Sequence, residues 1–228
     1  MPYHSDMDAL LYLAEEAKKE HSWLEFSQFC GLRARGVRAA AMEQLDRFIR
    51  TTDSWSFERQ RAFSQWVLSG SRRFNDGRVV LPHPIRERLI VPTLRRWCEI
   101  SPKEAEPHLW LGVLRSGADP AHHLEGALEL DPSCILARQT LIEWILGAVD
   151  YNQHELPYAY INDPADDLQA LAQASELISG SETEAWGASA LREIAEFRAR
   201  ADSWMTRRSD AGNVVPFVRR AADDPSLN

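Results

Sequence analysis

Glu99-Ile100-Ser101-Pro102 is echoed thirty residues later by Glu129-Leu130-Asp131-Pro132. Nothing else in the 228-residue chain constrains its fold as strongly. In both places a helical pattern runs into an aliphatic residue, a short polar residue and a proline. Such a proline closes one helix, and its fixed φ and missing N–H suit it to the first position of the next. Aligned on the prolines, Cys98 falls on Leu128 and Ile100 on Leu130. The spacing predicts stacked helical hairpins.

The rest of the chain has the same period. Leu10, Leu11, Leu13, Ala14 and Ala17 form the apolar face of a first helix. Ser22-Trp23-Leu24-Glu25 has the spacing of a capping box that opens a second, with Trp23, Phe26, Phe29 and Cys30 following. Ala41, Leu45, Phe48 and Ile49 belong to a third helix, up to about Arg50. Asp53 or Ser54 is expected to cap a fourth, which carries Phe57, Phe63, Trp66 and Val67. Asn75-Asp76-Gly77 marks a turn, and Arg78-Val79-Val80-Leu81 is a short extended run; Val214-Val215 is the other. Two such stubs do not make a sheet. Pro84 opens a helix with Ile85, Leu89, Ile90, Leu94 and Trp97 on one stripe, which Pro92 should kink or break after Val91. Pro107 offers an alternative start for the helix after Pro102. Residues 147–166, with Gly147, Pro157, Pro164 and Tyr151, Tyr158 and Tyr160, predict a long ordered loop. Asp163 or Asp166 is placed to cap the next helix. Ser181 with Glu184 forms a second capping-box pattern, before a last helix to about 204.

The expectation is an all-α protein of about ten helices. A helical region 1–82 and a second, 83–204, pack as one continuous domain, followed by a mobile tail over 205–228. No apolar run approaches the roughly 20 residues that a membrane helix needs, and no signal peptide is visible. Three widely spaced cysteines, Cys30, Cys98 and Cys134, have neither disulfide nor metal spacing. A cytoplasmic location is expected.

Composition matters most through charge. The net charge is −8, unevenly distributed: residues 1–100 hold 16 Lys/Arg against 13 Asp/Glu, and residues 101–228 hold 10 against 21. An acidic chain is a poor general ligand for phosphate backbones. Its acidic half suits a basic partner or a solvated surface.

Leu111-Gly112, followed by Ala127-Leu128-Glu129-Leu130-Asp131-Pro132, resembles the tetratricopeptide repeat over about residues 85–146. In that family the Leu-Gly pair and the Ala let two helices approach closely. The resemblance implies a right-handed α-α superhelix that grips a peptide or protein in a groove lined by the first helix of each hairpin. The matching positions include Glu106, Leu109, Gln139 and Glu143; Trp110 and Trp144, on successive first helices, are aromatic candidates for the same groove. The repeat departs from the pattern at Pro120, at Ile142 where the glycine would stand, and at Trp97 where Ala127 sits. An immunity- or chaperone-like bacterial protein is one concrete version of such a binder.

Chemistry-bearing groups are sparse. His122-His123 with Glu125 lacks the i,i+4 spacing of a helical metal site, since adjacent side chains diverge by about 100°. Asp163, Asp166 and Asp167 read as a helix cap rather than a cation site. No Gly-rich phosphate loop or nucleophile motif is present. No cofactor, metal or catalytic residue is therefore expected, and the protein reads as non-enzymatic. Two alternatives come from other classes. One is an enzyme with His154, Glu155, Tyr158 and Tyr160 in the 150–167 loop. The other is a nucleic-acid-linked regulator using Arg33, Arg35, Arg38, Arg59 and Arg61 in the basic N-terminal half.

Overall fold

A computed structural model describes residues 6–71 and 80–210, and among these residues there are helices and no strand. The turn expected at Asn75-Asp76-Gly77, the stub at Val214-Val215 and the tail beyond 210 lie outside the described residues. Val80 and Leu81 are described, and they occupy a buried turn, not a strand.

The helices are α1 (Asp6–Ala17), α2 (Leu24–Ala34), α3 (Arg38–Thr52), α4 (Phe57–Ser71), α5 (His83–Ile85), α6 (Val91–Ile100), α7 (Ala105–Val113), α8 (Pro120–Leu130), α9 (Ile135–Gln153), α10 (Pro164–Ile178) and α11 (Ala185–Asp210). A wider π-helical turn, Arg86–Ile90, joins α5 to α6. Counted as rods, the described residues give the expected ten.

The chain divides into two compact units, Met1–Ala137 and Arg138–Asn228. The division falls inside α9. At the boundary expected near residue 82, by contrast, α4 packs directly on α6.

In the first unit, neighbours in sequence pack in pairs: α1 on α2, α2 on α3, α6 on α7 and α7 on α8. Its core is aromatic. Phe63 meets Phe26 edge-on at 5.1 Å and Phe48 at 4.9 Å between ring centroids. Trp23 lies 4.6 Å from Trp66 on the same cluster. Aromatic pairs at these separations add to the area they bury. The buried Cys30 thiol packs here as a small apolar group, its pKa pushed well up by desolvation.

The second unit closes on Ile142, Leu146 and Val149 of α9, Leu171, Ala174 and Ile178 of α10, and Ile194 and Phe197 of α11. Gly187 lets α11 cross the turn before it. A Cβ there would stand 2.0 Å from the Ser181 carbonyl oxygen.

Several local expectations change. Pro92 does not break its helix. The π turn just before it lets the Val91 N–H reach back to the Arg86 carbonyl, which reroutes the ladder around the missing donor. The two echoed prolines do not open helices. Pro102 lies in a turn closed by the Glu104 N–H donating to the Ser101 carbonyl at 3.0 Å, and Pro132 in its counterpart, Cys134 to Asp131 at 3.1 Å. Each sits at the second turn position, which proline's φ favours. The following helices start three residues later, so Pro107 falls within the first turn of α7. Neither capping box forms. Glu20 takes the Ser22 hydroxyl at 2.9 Å, and Glu25 instead accepts from Thr51 on α3, also at 2.9 Å. The Glu184 carboxylate takes the Trp186 indole N–H at 2.7 Å. Ser56, not Asp53 or Ser54, caps α4, accepting from the Arg59 N–H at 3.4 Å. Asp163 does cap α10, through the Ala165 N–H at 2.9 Å.

The expected loop 147–166 is shorter. α9 continues to Gln153, so only residues 154–163 are irregular. α11 likewise runs past 204, to Asp210.

Candidate functional site

The α7–α8 hairpin is the most sharply built feature of the first unit. Gly112 on α7 faces Leu124 on α8, and a Cβ at position 112 would lie 2.5 Å from Leu124 Cγ and 3.2 Å from its backbone nitrogen. Ala127, one turn further along α8, is fully buried. α8 is opened by Asp119, whose carboxylate accepts the His122 N–H at 3.2 Å, with Pro120 just inside the start. α7 ends in a Schellman motif. The Ser116 N–H reaches the Leu111 carbonyl at 3.0 Å and the Arg115 N–H the Gly112 carbonyl at 2.7 Å, with Arg115 at φ 52°.

Three of the six expected groove residues lie on α7. Glu106 accepts from Gln65 Nε2 at 2.7 Å and from the Trp110 indole N–H at 3.4 Å, so its carboxylate ties α7 to α4. Trp110 is only 4 % exposed and belongs to the hydrophobic core of the first unit; Leu109 is buried too. Near them Glu104 accepts from Arg61 at 2.7 Å and the Trp97 indole N–H at 2.8 Å, while the Arg61 guanidinium stacks 3.9 Å over the Trp97 ring. Both carboxylates at the head of α7 thus hold helices together. The remaining three residues are on α9, in the second unit. Glu143 is exposed, and Gln139 and Trp144 are half-buried.

The hairpin also brings together residues that the sequence keeps apart. His108 on α7 and His123 on α8 face each other with their Nδ1 atoms 3.4 Å apart. Both have pKa values below the ordinary histidine value, first through desolvation and then through neighbouring positive charge: His122 for His108, and His108, His122 and Arg95 for His123, against which Asp119 works in the other direction. Sequence reasoning found His122-His123 but missed His108. Only the register of α8 on α7 could have supplied it.

In the second unit the residues of the enzyme alternative separate. His154 is exposed and pairs with Glu155 at 3.0 Å, and Tyr158 is 90 % exposed. Tyr160 turns inward. Its hydroxyl donates to Asp167 at 2.6 Å and accepts from Gln153 Nε2 at 2.9 Å, while Asn152 donates to the other Asp167 oxygen at 2.7 Å. Asp167 is 4 % exposed. Burial and the bond to Asp167 raise the Tyr160 pKa well above that of an ordinary phenol. This network fastens the 154–163 loop to α9 and α10.

Two shallow clefts exist among the described residues. One, of about 410 Å³, lies between Leu156-Pro157 and Ala199, Arg200, Ser203 and Arg207 of α11. The other, of about 400 Å³, is in the first unit and is lined by Glu25, Thr51, Trp55 and Arg59 among others. Among the described residues no group of three or more His, Cys, Asp or Glu side chains is arranged to enclose a metal ion, and no helix is long and apolar enough to cross a membrane.

Comparison with protein-family models, with curated proteins and with solved structures finds no match to this chain.

Proposed function

We propose that the protein is a non-enzymatic helical interaction module, tetratricopeptide-like in its α7–α8 hairpin, that binds a basic protein or peptide. The observation carrying this reading is where the acidic charge sits. Residues 138–210 hold 13 Asp/Glu against 6 Lys/Arg. Of the acidic side chains described there, all but Asp167 are exposed at the surface. Charge left in solvent raises the local concentration of an oppositely charged partner and speeds encounter. Burying Trp110 and engaging Glu106 in the α4–α7 contact moves the emphasis from aromatic anchors to exposed carboxylates, Glu143 foremost. An immunity- or chaperone-like role, masking a basic partner, is the concrete form of this proposal, in a cytoplasmic setting.

The test starts from a pull-down with the full chain, followed by surface-plasmon-resonance kinetics on the captured partner. Association should slow as salt rises toward screening lengths of about 8 Å. Glu143→Lys should slow association more than it speeds dissociation, with an unchanged circular-dichroism spectrum. Salt-independent binding with wild-type kinetics for Glu143→Lys would sink the proposal. A bound small molecule turned over by the protein would favour the enzyme reading, with His154 and Glu155 as its first residues to vary.

A further inference from the structure

We propose that His108 and His123 form a two-point chelating site for a divalent transition metal of the zinc, nickel or copper class, bridging α7 and α8. The proposal rests on the geometry of the pair. Two imidazole nitrogens bound to one tetrahedral ion, each about 2.05 Å from it at an angle near 109°, lie about 3.4 Å apart. The two Nδ1 atoms are 3.4 Å apart, on neighbouring helices, with ring centroids separated by 5.6 Å and planes inclined at 50°. The separation of the two nitrogens thus already matches the bite that a tetrahedral ion requires.

The pair is held by the fold. His108 lies three residues into the chain after Ala105, on the turn of α7 that passes α8, and its Nδ1 is 3.5 Å from where a Cβ would stand on Gly126. His123 follows the α8 start fixed by Asp119 and Pro120. Both rings are half-buried, not sealed in the core. Neutral imidazole is the form that ligates, and burial of the two rings disfavours the charged form. Imidazole nitrogen selects borderline ions over magnesium or calcium, which prefer oxygen. Nearby charge is mixed: Asp119 favours a cation at His123, while Arg95 and His122 oppose one. With only two protein ligands and this balance, the site is exchangeable, not a permanent structural centre.

The experiment is calorimetric titration of the full-length, untagged chain with zinc chloride at pH 7.5, with the imidazole resonances followed by NMR. One ion should bind per chain, and the resonances of His108 and His123 should move together. Loss of a direct ligand should cost at least as much as loss of an outer partner, so His108→Gln and His123→Gln should each weaken binding by roughly tenfold or more. His122→Gln should leave the affinity at or above that of the wild type. Circular dichroism of each variant checks that the hairpin is intact. Zinc should raise the melting temperature of the wild type but of neither ligand variant. Wild-type affinity in either ligand variant would overturn the proposal, as would zinc-induced shifts confined to other histidines or no binding at all. In those cases the 3.4 Å contact is simply an N–H···N hydrogen bond between neutral rings.

Discussion

Leu124 occupies the space that a side chain on Gly112 would need. A Cβ there would lie 2.5 Å from both Cγ and Cδ2 of Leu124 and 3.2 Å from its backbone nitrogen. The leucine's end could swing aside, but its backbone cannot, so α7 and α8 would have to part. Gly112→Leu should cost about 1–3 kcal/mol, the usual range for overpacking, and Ala127→Leu a similar amount. Thermal melting followed by circular dichroism measures both. If each variant melts with the wild type, the two helices do not meet as described.

Arg115 provides the opposite case. It holds the left-handed position of the Schellman motif ending α7, at φ 52°, whereas the matching motif that ends α2 has Gly36 there, at φ 77°. A left-handed L-residue costs roughly 1–2 kcal/mol, and glycine escapes most of it. Arg115→Gly should therefore stabilise the hairpin, by about 0.5–1 kcal/mol once glycine's greater unfolded-state entropy is included. Gly147, exposed within α9 with nothing within 4 Å of its Cβ position, should also gain from Gly147→Ala, by roughly 0.5–1 kcal/mol. Urea unfolding midpoints that fall for both variants would contradict these assignments.

The buried Asp167 carboxylate binds Tyr160 at 2.6 Å and Asn152 at 2.7 Å. Asp167→Ala orphans both donors and should destabilise by about 2–4 kcal/mol, given some 1–3 kcal/mol for each unsatisfied buried group. Tyr160→Phe removes one donor with no volume loss and should cost about 1 kcal/mol. Hydrogen exchange should then rise first in residues 154–163, the loop this network fastens. An equal rise throughout α10 and α11 would argue that the network holds the whole unit.

Stability should also depend on pH through His108 and His123. Both folded-state pKa values lie below the unfolded histidine value of about 6.5, so the unfolded chain binds protons more readily. The neutral pair's contribution is complete above that value and is lost as pH falls through it towards the depressed folded values. The melting temperature should drop between pH 7 and pH 5 with a steeper slope in the wild type than in the His108→Gln/His123→Gln double variant. Parallel slopes would assign the acid sensitivity elsewhere.

The sequence by itself determined the all-helical class and the apolar faces, narrowed the α10 cap to Asp163 or Asp166, and pointed to the close approach at Gly112 through its resemblance to the tetratricopeptide repeat. The helical class and the apolar faces are written in local periodicity, which needs no knowledge of distant contacts. Tertiary structure decided the rest. Ser22 and Glu25 have capping-box spacing, yet Glu20 and Thr51 compete for their polar groups and win. Pro92 should stop a helix, but a widened turn absorbs the missing donor and lets a strongly apolar stripe stay buried. Trp110 has the position that the resemblance gives a groove residue, yet it is buried in the hydrophobic core of the first unit. The pairing of His108 with His123 arises only when α8 settles on α7 in one register, fifteen residues apart in the chain and 3.4 Å apart in space. A sequence lists the donors, acceptors and apolar surfaces; which of them meet is settled by competition among all partners within reach, and that competition exists only in the folded chain.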